Sequence, residues 1–280
     1  MAVIAGLRDP AFHESWVRFV RVTLIQVSSA PPNVPAMTKC IGVAVGVLAT
    51  IAVTLLVAAS PGSSSPSAKR AIPIPALPAP ATFVSRIDNE FFPLEPGTTF
   101  RYRGQQDGKP MTVSVSITHK TKLIAGIRAT VVLDQVFVGA KPEEKTFDWY
   151  AQDKRGNVWY LGENSSDYVK GRWVRSDGSW ETGVDGAKAG IVMKAAPAIG
   201  KAYRQEYYAG HAEDMAKVIA TKASVTVPYG TFAHALVTSE WTPLEKGVVE
   251  HKYYVRGVGN VRTIMVKGGS EEERLVSVSK

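Results

Sequence analysis

The residues after Phe83 alternate between apolar and polar types, and this period of two most limits the folds open to the chain. The clearest case is Met111–Thr118, where every second residue is apolar. Successive side chains of a strand point to opposite sides, so this pattern predicts strands with one buried face. The other segments with strand character are Ile127–Val138, Thr146–Gln152, Val158–Leu161, Tyr203–Tyr208, Lys217–Val227, Ala235–Trp241, Val248–Val255, Val261–Val266 and Arg274–Val278.

Turn residues separate many of these strands, as in Gln105–Gly108, Lys154–Asn157 and Lys267–Gly269. Strands joined by short turns are antiparallel, because parallel pairing needs a long crossover. We therefore predict an all-β domain, an antiparallel meander of about ten strands that forms a barrel or half-barrel. A two-sheet sandwich is the alternative.

Two segments of this domain depart from the strand pattern. Ala209–Lys217 is the only one with helical character, and it is short. Trp173–Pro197 is rich in glycine and alanine, and it predicts either a lid over one end of a barrel or a plain surface loop.

A second pattern lies near the N-terminus. Ile41–Ala59 carries no charge over nineteen residues, follows Lys39, and ends in small residues. This predicts one hydrophobic helix over residues 37–60, either a cleaved signal peptide or a retained signal anchor. Val57 and Ala59 fit a cleavage site, whereas the length favours an anchor. Basic residues before the segment predict that the following domain lies outside the cytoplasm.

The flanking segments complete the predicted organisation. Residues 1–36 show little pattern and are predicted to be unstructured, or to be an over-extended reading frame with the true start at Met37. Residues 61–82 are rich in Ser, Pro and Ala and predict a semi-rigid linker. The extracytoplasmic β domain is predicted to occupy residues 83–280, on a protein that is membrane-anchored or secreted.

Composition excludes several classes of function. Residues 81–280 contain 27 Lys+Arg and 23 Asp+Glu, a net charge of +4, with no basic cluster or motif of a nucleic-acid-binding protein. The only cysteine, Cys40, lies outside the domain, which excludes a disulfide framework and a cysteine nucleophile there. We expect no nucleic-acid partner and no cofactor.

Two short motifs suggest metal ligands, but each has a simpler interpretation. Asp153–Asn157 lacks the alternating oxygen ligands of a calcium loop and is typical of a hairpin turn. His211, Glu213 and Asp214 could form part of a divalent-metal site, yet they lie in a predicted loop where such residues are usually solvated. We predict no metal site.

Carboxylates recur within the aromatic strands. Asp148 shares a strand face with Tyr150, and Glu250 shares one with Lys252 and Tyr254. A face of this kind would line a polar cavity if it pointed into a barrel, but the solvent-facing alternative is favoured because buried carboxylates need partners. The candidate ligand-binding residues are Asp148, Tyr150, Trp159, Trp180, Glu206, Tyr208, Trp241 and His251, with His251 more typical of a core or rim residue.

A set of phrases resembles a known family. These are Asp148–Asp153 (DWYAQD), Gly156–Tyr160 (GNVWY), Tyr203–Tyr208 (YRQEYY), Val227–Phe232 (VPYGTF) and Glu250–Tyr254 (EHKYY). Together they resemble uncharacterised exported or membrane-anchored bacterial proteins of actinobacterial type. The resemblance spans roughly residues 86–266 and implies an extracytoplasmic domain without an established activity or catalytic residues.

Three functions are compatible with these patterns. The first is a binding module for an apolar or amphipathic ligand of the cell envelope, a lipid or a glycan, since a barrel with many aromatic residues can hold one. The second is a structural or protein-interaction domain at the cell surface. The third is a hydrolase using Asp148 with Glu206 or Glu240. No catalytic residue is assigned, and a non-enzymatic role is favoured.

Overall fold

The computed structural model describes residues 71–280, and its regular structure consists almost entirely of β-strands. A 3-10 turn at Pro80–Thr82 precedes them. The strands are β1 (Phe83–Val84), β2 (Thr99–Gln106), β3 (Lys109–Ile124), β4 (Ile127–Val138), β5 (Lys141–Asp153), β6 (Val158–Val169), β7 (Arg172–Arg175), β8 (Trp180–Glu181), β9 (Lys188–Met193), β10 (Tyr203–Arg204), β11 (Glu206–Tyr207), β12 (Met215–Val227), β13 (Gly230–Trp241), β14 (Val249–Val255), β15 (Gly259–Lys267) and β16 (Glu272–Ser279).

Thirteen of these strands follow one another around a single antiparallel sheet. Hairpins join β2 through β6 and β12 through β16, and the two runs meet where β16 pairs with β2. The short strands β1, β7 and β8 add to β5 and β6. The meander predicted from the turn residues is confirmed, with short strands that the alternation did not predict.

One short segment brings the two ends of this sheet together. Strand β10 pairs with β12, and β11 pairs with β9, yet only Gln205 separates β10 from β11 along the chain. The sheet is therefore a nearly closed barrel, as predicted, and the sandwich alternative is not observed. The approach is so close that a Cβ atom at Gly190 would lie 2.3 Å from the carbonyl carbon of Gln205. Glycine is required at that position because a side chain would push the two strands apart.

The two largest apolar clusters stabilise the barrel. The larger lies inside and contains Met111, Val113 and Ile117, the face that alternation predicted as buried. The smaller lies on the opposite face of β4–β6 and contains Trp149, Trp159 and Leu161. Strands β5 and β6 are therefore buried on both faces, whereas a sheet with one solvent-exposed face buries only the other.

The segment Trp173–Pro197 is ordered around strands β7, β8 and β9, and Ala209–Lys217 forms a turn that leads into β12, without a helix. Part of the predicted linker lies against the barrel: Leu77 packs on the smaller cluster, and the carbonyl oxygen of Ile72 accepts a hydrogen bond from Arg204. The predictions for residues 1–36, for residues 37–60 and for residues 61–70 of the linker lie outside the described residues. Within residues 71–280 no helix has the length and apolar character needed to span a bilayer.

Candidate ligand-binding cavity

A cavity of about 180 Å³ occupies the interior of the barrel. This is well above the roughly 10–15 Å³ that a cavity needs to hold one water, so the space can hold several water molecules or one small organic ligand. One part of its wall is apolar and comes from β2, β3, β4 and β9, from the loop before β2 and from the turn between β14 and β15. The apolar lining residues are Phe92, Pro93, Leu94, Phe100, Val113, Val115, Val132, Val136, Val192 and Val258.

The rest of the wall is polar and strongly acidic. Seven carboxyl groups line it, together with four tyrosines and a single lysine, Lys252. The acidic residues are Asp134, Glu144, Asp148, Glu206, Asp214, Glu271 and Glu273, and the tyrosines are Tyr102, Tyr150, Tyr160 and Tyr254. The cavity thus combines an apolar wall with a wall of carboxyl and hydroxyl groups, an amphipathic lining.

The charged residues are sorted by sign between the interior and the surface of the domain. Ten Asp and Glu residues of the described region are buried, whereas no Lys or Arg of that region is. Carboxylates are almost never buried without partners, because desolvation disfavours the charged form. Five of the ten, Glu144, Asp148, Glu206, Glu271 and Glu273, line the cavity.

Tyrosine and tryptophan rings hold several of these carboxylates in place. Tyr160 stacks on Tyr150 with ring centroids 4.8 Å apart, and its hydroxyl group donates to Asp148 Oδ1 at 2.7 Å. The same hydroxyl contacts Glu163, so strands β5 and β6 are tied together beside the cavity. Trp180 Nε1 donates to Glu206 Oε2 at 2.8 Å. This hydrogen bond fixes the carboxylate on the segment Tyr203–Tyr207, called the closing segment because its two short strands join the ends of the sheet. Hydrogen bonds of this kind preorganise the acidic wall.

Lys252 lies between the buried carboxylates of Glu240 on β13 and Glu250 on β14, which are directly opposite each other in the sheet. Its Nζ atom is 2.9 Å from Glu240 Oε2 and 3.7 Å from Glu250 Oε2. Burial opposes its charge, but these two carboxylates hold the pKa of Lys252 well above its usual value. Burial raises the pKa of Glu250 well above its usual value, against the opposing charge of Lys252. The lysine charge is thus already balanced within this cluster.

Two further carboxyl groups titrate near neutral pH. Burial raises the pKa of Asp214 to about 7, and the charge of Lys252 acts in the opposite direction. Burial also raises the pKa of Glu245 to about 8, with a contribution from the negative charge of Asp214. Both oxygens of Glu245 are buried without a hydrogen-bond partner, which explains why its neutral form is favoured.

The eight predicted site residues separate into three groups. Asp148, Tyr150 and Glu206 line the cavity. Trp180 lies directly behind this wall and donates a hydrogen bond to Glu206. Tyr208 packs against a third, small buried cluster formed by Tyr160, Trp180, Ala187 and Ala212. The remaining three are not among the lining residues: Trp159 belongs to the smaller apolar cluster, Trp241 ends β13, and His251 alternates with the inward residues of β14.

Sequence reasoning placed Glu250, Lys252 and Tyr254 on one face, and the structure turns that face inward rather than towards solvent. It did not single out Asp134, Glu144, Glu271 or Glu273. The last two belong to the run Glu271–Glu273, which looks like an ordinary solvated surface patch. Their spacing of two was the one signal that could have placed both on the same side of a strand.

The two short acidic motifs have structural roles. Asp153 accepts hydrogen bonds from the backbone of Arg155 and Asn157 and from the indole of Trp159, which closes the predicted hairpin turn. In the second motif, Glu213 pairs with Arg204 and His211 stacks on Tyr208, whereas Asp214 lines the cavity. Across residues 71–280 no group of three or more His, Cys, Asp or Glu side chains has the arrangement of a metal site.

Comparison with known proteins gives structural similarities only. No protein-family model and no curated protein matches the sequence. Two crystal structures resemble the fold: a Bacteroides fragilis protein assigned as exported and having a YmcC-like fold, and a Parabacteroides distasonis protein assigned as a lipoprotein. The first is 16% identical with a TM-score of 0.40, covering 69% of this chain and 100% of its own. The second is 13% identical with a TM-score of 0.38, covering 68% and 99%. The family resemblance drawn from the sequence phrases stays a prediction.

Proposed function

We propose that this chain is an extracytoplasmic binding protein whose barrel holds one small amphipathic ligand, drawn from the lipids or glycans of the cell envelope. The observation that supports this most is the amphipathic lining of the cavity. Phe100, Val115 and Val132 face the same space as Asp148, Tyr150 and Glu206. Ligand sites are typically concave and apolar, with a few polar groups that fix the orientation of the ligand.

The packing around the cavity favours binding over a purely structural role. A barrel that served only as a scaffold would fill its interior with apolar side chains, because empty space and buried carboxylates both cost stability. Here Asp148 and Glu206 are held by Tyr160 and Trp180 at the edge of an open space. Groups fixed in this way are typical of a preorganised binding site.

The location of the protein is the second part of the proposal. Ile41–Ala59 would carry the domain across the membrane and either remain as an anchor or be removed. An envelope lipid or glycan would then be available to the barrel. N-terminal sequencing of the mature protein tests this part, and Ser60 as the first residue would rule out the anchor.

The test of binding uses the full-length chain, exported from a bacterial host and analysed by native mass spectrometry. Val115 lines the cavity, whereas Val266 on β15 is 47% exposed. We expect a bound small molecule on the wild-type chain, its loss in Val115→Phe, and its retention in Val266→Phe. Equal occupancy of all three chains would refute the proposed site. An empty wild-type chain that also fails to bind added 1-hexanol would refute the proposed function.

A hydrolase is the second candidate, because Asp148 and Glu206 line the same cavity. Glu240, the other predicted partner of Asp148, is not among the lining residues and is bound by Lys252. The structure therefore favours the Asp148–Glu206 pair over the Asp148–Glu240 pair for such chemistry. Hydrolysis of chromogenic glycosides by the wild-type chain, with loss of this activity in Asp148→Asn, would support it, and no turnover by the wild-type chain would exclude it for these substrates.

A further inference from the structure

We propose that the hairpin of β6 and β7 docks on a membrane surface that carries anionic lipids. Its tip, Tyr168–Arg175, has the sequence YVKGRWVR, with three basic residues and no acidic one. All four residues of β7 are exposed. Basic side chains combined with Trp and Tyr are typical of protein surfaces that lie at the headgroup level of a bilayer. This contact is separate from the cavity and from the predicted hydrophobic segment near the N-terminus.

A tight turn carries basic residues to the end of this hairpin. Val169 pairs with Arg172, so only Lys170 and Gly171 form the turn. Both have a positive φ, 50° and 85°, as the type I′ turn of a two-residue hairpin requires. Lys170 and Arg172 therefore lie at the very end of the hairpin, and both are exposed.

Two aromatic side chains are exposed beside the turn. Tyr168 and Trp173 are directly opposite each other in the hairpin, and their ring centroids are 5.1 Å apart. Tyr168 is 37% exposed and Trp173 is 38% exposed, although tryptophan is on average highly buried. Each ring has an apolar body and a polar group, which suits the boundary between lipid and water.

The sheet places further positive charge on the same face as these rings. Lys145 of β5 is opposite Ser166, and Ser166 is opposite Arg175. Tyr168 and Trp173 are each two residues away from this row, so alternation puts them on the same face. The Lys145 Nζ atom lies 4.8 Å from the centroid of the Trp173 ring. The rings and the basic groups thus form one continuous surface.

The charge of this surface is complementary to an anionic partner. Among residues 71–280, none of the three basic residues of the tip forms an ion pair. Asp167 is opposite Glu144, on the side of the sheet that borders the cavity. The exposed acidic residues Glu143 and Asp177 flank a surface with four basic residues, so the surface stays positive.

A bilayer fits the shape of the tip better than a soluble anion does. Tyr168 and Trp173 lie on one face of the hairpin, and Val174, which is 40% exposed, lies on the other. A soluble anion would contact the basic groups and leave these apolar groups in water. The headgroup region of a bilayer can cover both faces of a narrow hairpin at once, while its anionic lipids contact the basic groups.

The test follows amide hydrogen exchange in the full-length chain by mass spectrometry. The chain is placed on vesicles of phosphatidylcholine alone, and on vesicles of equimolar phosphatidylcholine and phosphatidylglycerol. Exchange reports on the hairpin itself, however the predicted segment Ile41–Ala59 attaches the chain. We expect the amides of Tyr168–Arg175 to exchange at least about fivefold more slowly on the anionic vesicles only, since each Lys or Arg near an anionic leaflet strengthens binding by about that factor.

The hairpin of β12 and β13 is a control within the same chain. Its turn exposes Tyr229, at 42%, and the Tyr229 ring stacks on Phe232. The segment Thr226–Phe232 contains no basic residue. It therefore presents aromatic side chains without the positive charge, and its exchange should be the same on both kinds of vesicle.

Two double variants separate the charge of the tip from the charge of the whole chain. Lys170→Gln combined with Arg172→Gln removes two exposed charges from the tip and should abolish most of the slower exchange. Lys217→Gln combined with Lys222→Gln removes two exposed charges from β12, which pairs with neither β6 nor β7. This second variant should exchange as the wild type does.

Several results would overturn the inference. These are equal exchange of the tip on both kinds of vesicle, equal slowing in the β12–β13 hairpin, or an equal effect of the two double variants. Glycerol 3-phosphate added without vesicles is a further arm, and slowing of the tip by this compound to the same extent would assign the surface to a soluble phosphate ester instead. None of these outcomes affects the proposed cavity function, because no residue of Tyr168–Arg175 lines the cavity.

Discussion

Replacing Lys252 by methionine tests the central feature of this interior, the balance of buried charge. The Lys252 side chain is 19% exposed, and the side chains of Glu240 and Glu250 are 2% and 1% exposed. Methionine keeps most of the side-chain volume but removes the ammonium group. Glu240 and Glu250 then remain buried without their positive partner. Breaking a buried ion pair from one side costs about 3–5 kcal/mol, and we expect a loss of this size at pH 8.

The loss should depend on pH in a defined direction. Burial holds the folded-state pKa of Glu250 above its unfolded-state value, and the loss of Lys252 removes the charge that opposes this shift, so the folded state binds more protons. The stability of such a state is highest below the unfolded pKa and falls as the pH rises through the folded pKa. The variant is therefore expected to lose about half as much stability at pH 5 as at pH 8.

Urea unfolding followed by tryptophan fluorescence measures both values. Lys217 on β12 is exposed, and Lys217→Met removes a lysine without touching the interior, so it should change stability by no more than about 0.5 kcal/mol. Adding Glu250→Gln to the Lys252 variant should restore part of the loss, because it removes one unbalanced carboxylate. A deficit below about 1 kcal/mol at pH 8, or one that is equal at both pH values, would show that the cluster does not carry buried charge.

Three further predictions concern other parts of the barrel. Burial raises the pKa of Glu245 to about 8, so the ionisation of this residue destabilises the fold as the pH rises from about 4.5. The free energy of unfolding of Glu245→Gln, measured by urea titration, should therefore be about 1–2 kcal/mol higher than that of the wild type at pH 8 and little changed at pH 5. Gly190→Ala should lose about 2 kcal/mol or more, because its Cβ would collide with the closing segment, while Gly200→Ala, with its nearest atom at 3.8 Å, should be nearly neutral; equal melting temperatures for the two would contradict the closure. Trp180→Phe should lower the free energy of unfolding by about 1–3 kcal/mol, because it removes the indole that donates to the buried carboxylate of Glu206. Trp173 is 38% exposed, so Trp173→Phe should have little effect, and thermal unfolding of both variants tests this.

Much of the fold follows from local sequence patterns. The alternation of Met111–Thr118 places one face of β3 in the core, and the short turns require antiparallel neighbours. The sequence predicts one strand over Tyr203–Tyr208, whereas the structure has two strands there, β10 and β11, that pair with different neighbours. Periodicity indicates that a residue lies in a strand, but it does not identify the partner of that strand.

The candidate site was only partly accessible from the sequence. Asp148, Tyr150 and Glu206 were identified because carboxylates inside aromatic strands are unusual, and all three line the cavity. Trp159 carries the same composition signal, yet it lies on the opposite face of its strand from Tyr160. Residue type alone does not tell which face of a strand borders the cavity.

The sequence by itself determined most of the longer strands, the antiparallel pairing of strands joined by short turns, and which residues share a strand face, since these depend on neighbours along the chain. Only the tertiary structure decided which face is inside. On β5 the apolar face, with Trp149 and Ala151, would normally mark the core side. Here Leu77, Phe83 and Ile191 pack against that apolar cluster. The carboxylate face is thereby left to border the cavity, because curvature and closure are set by contacts between residues distant in sequence.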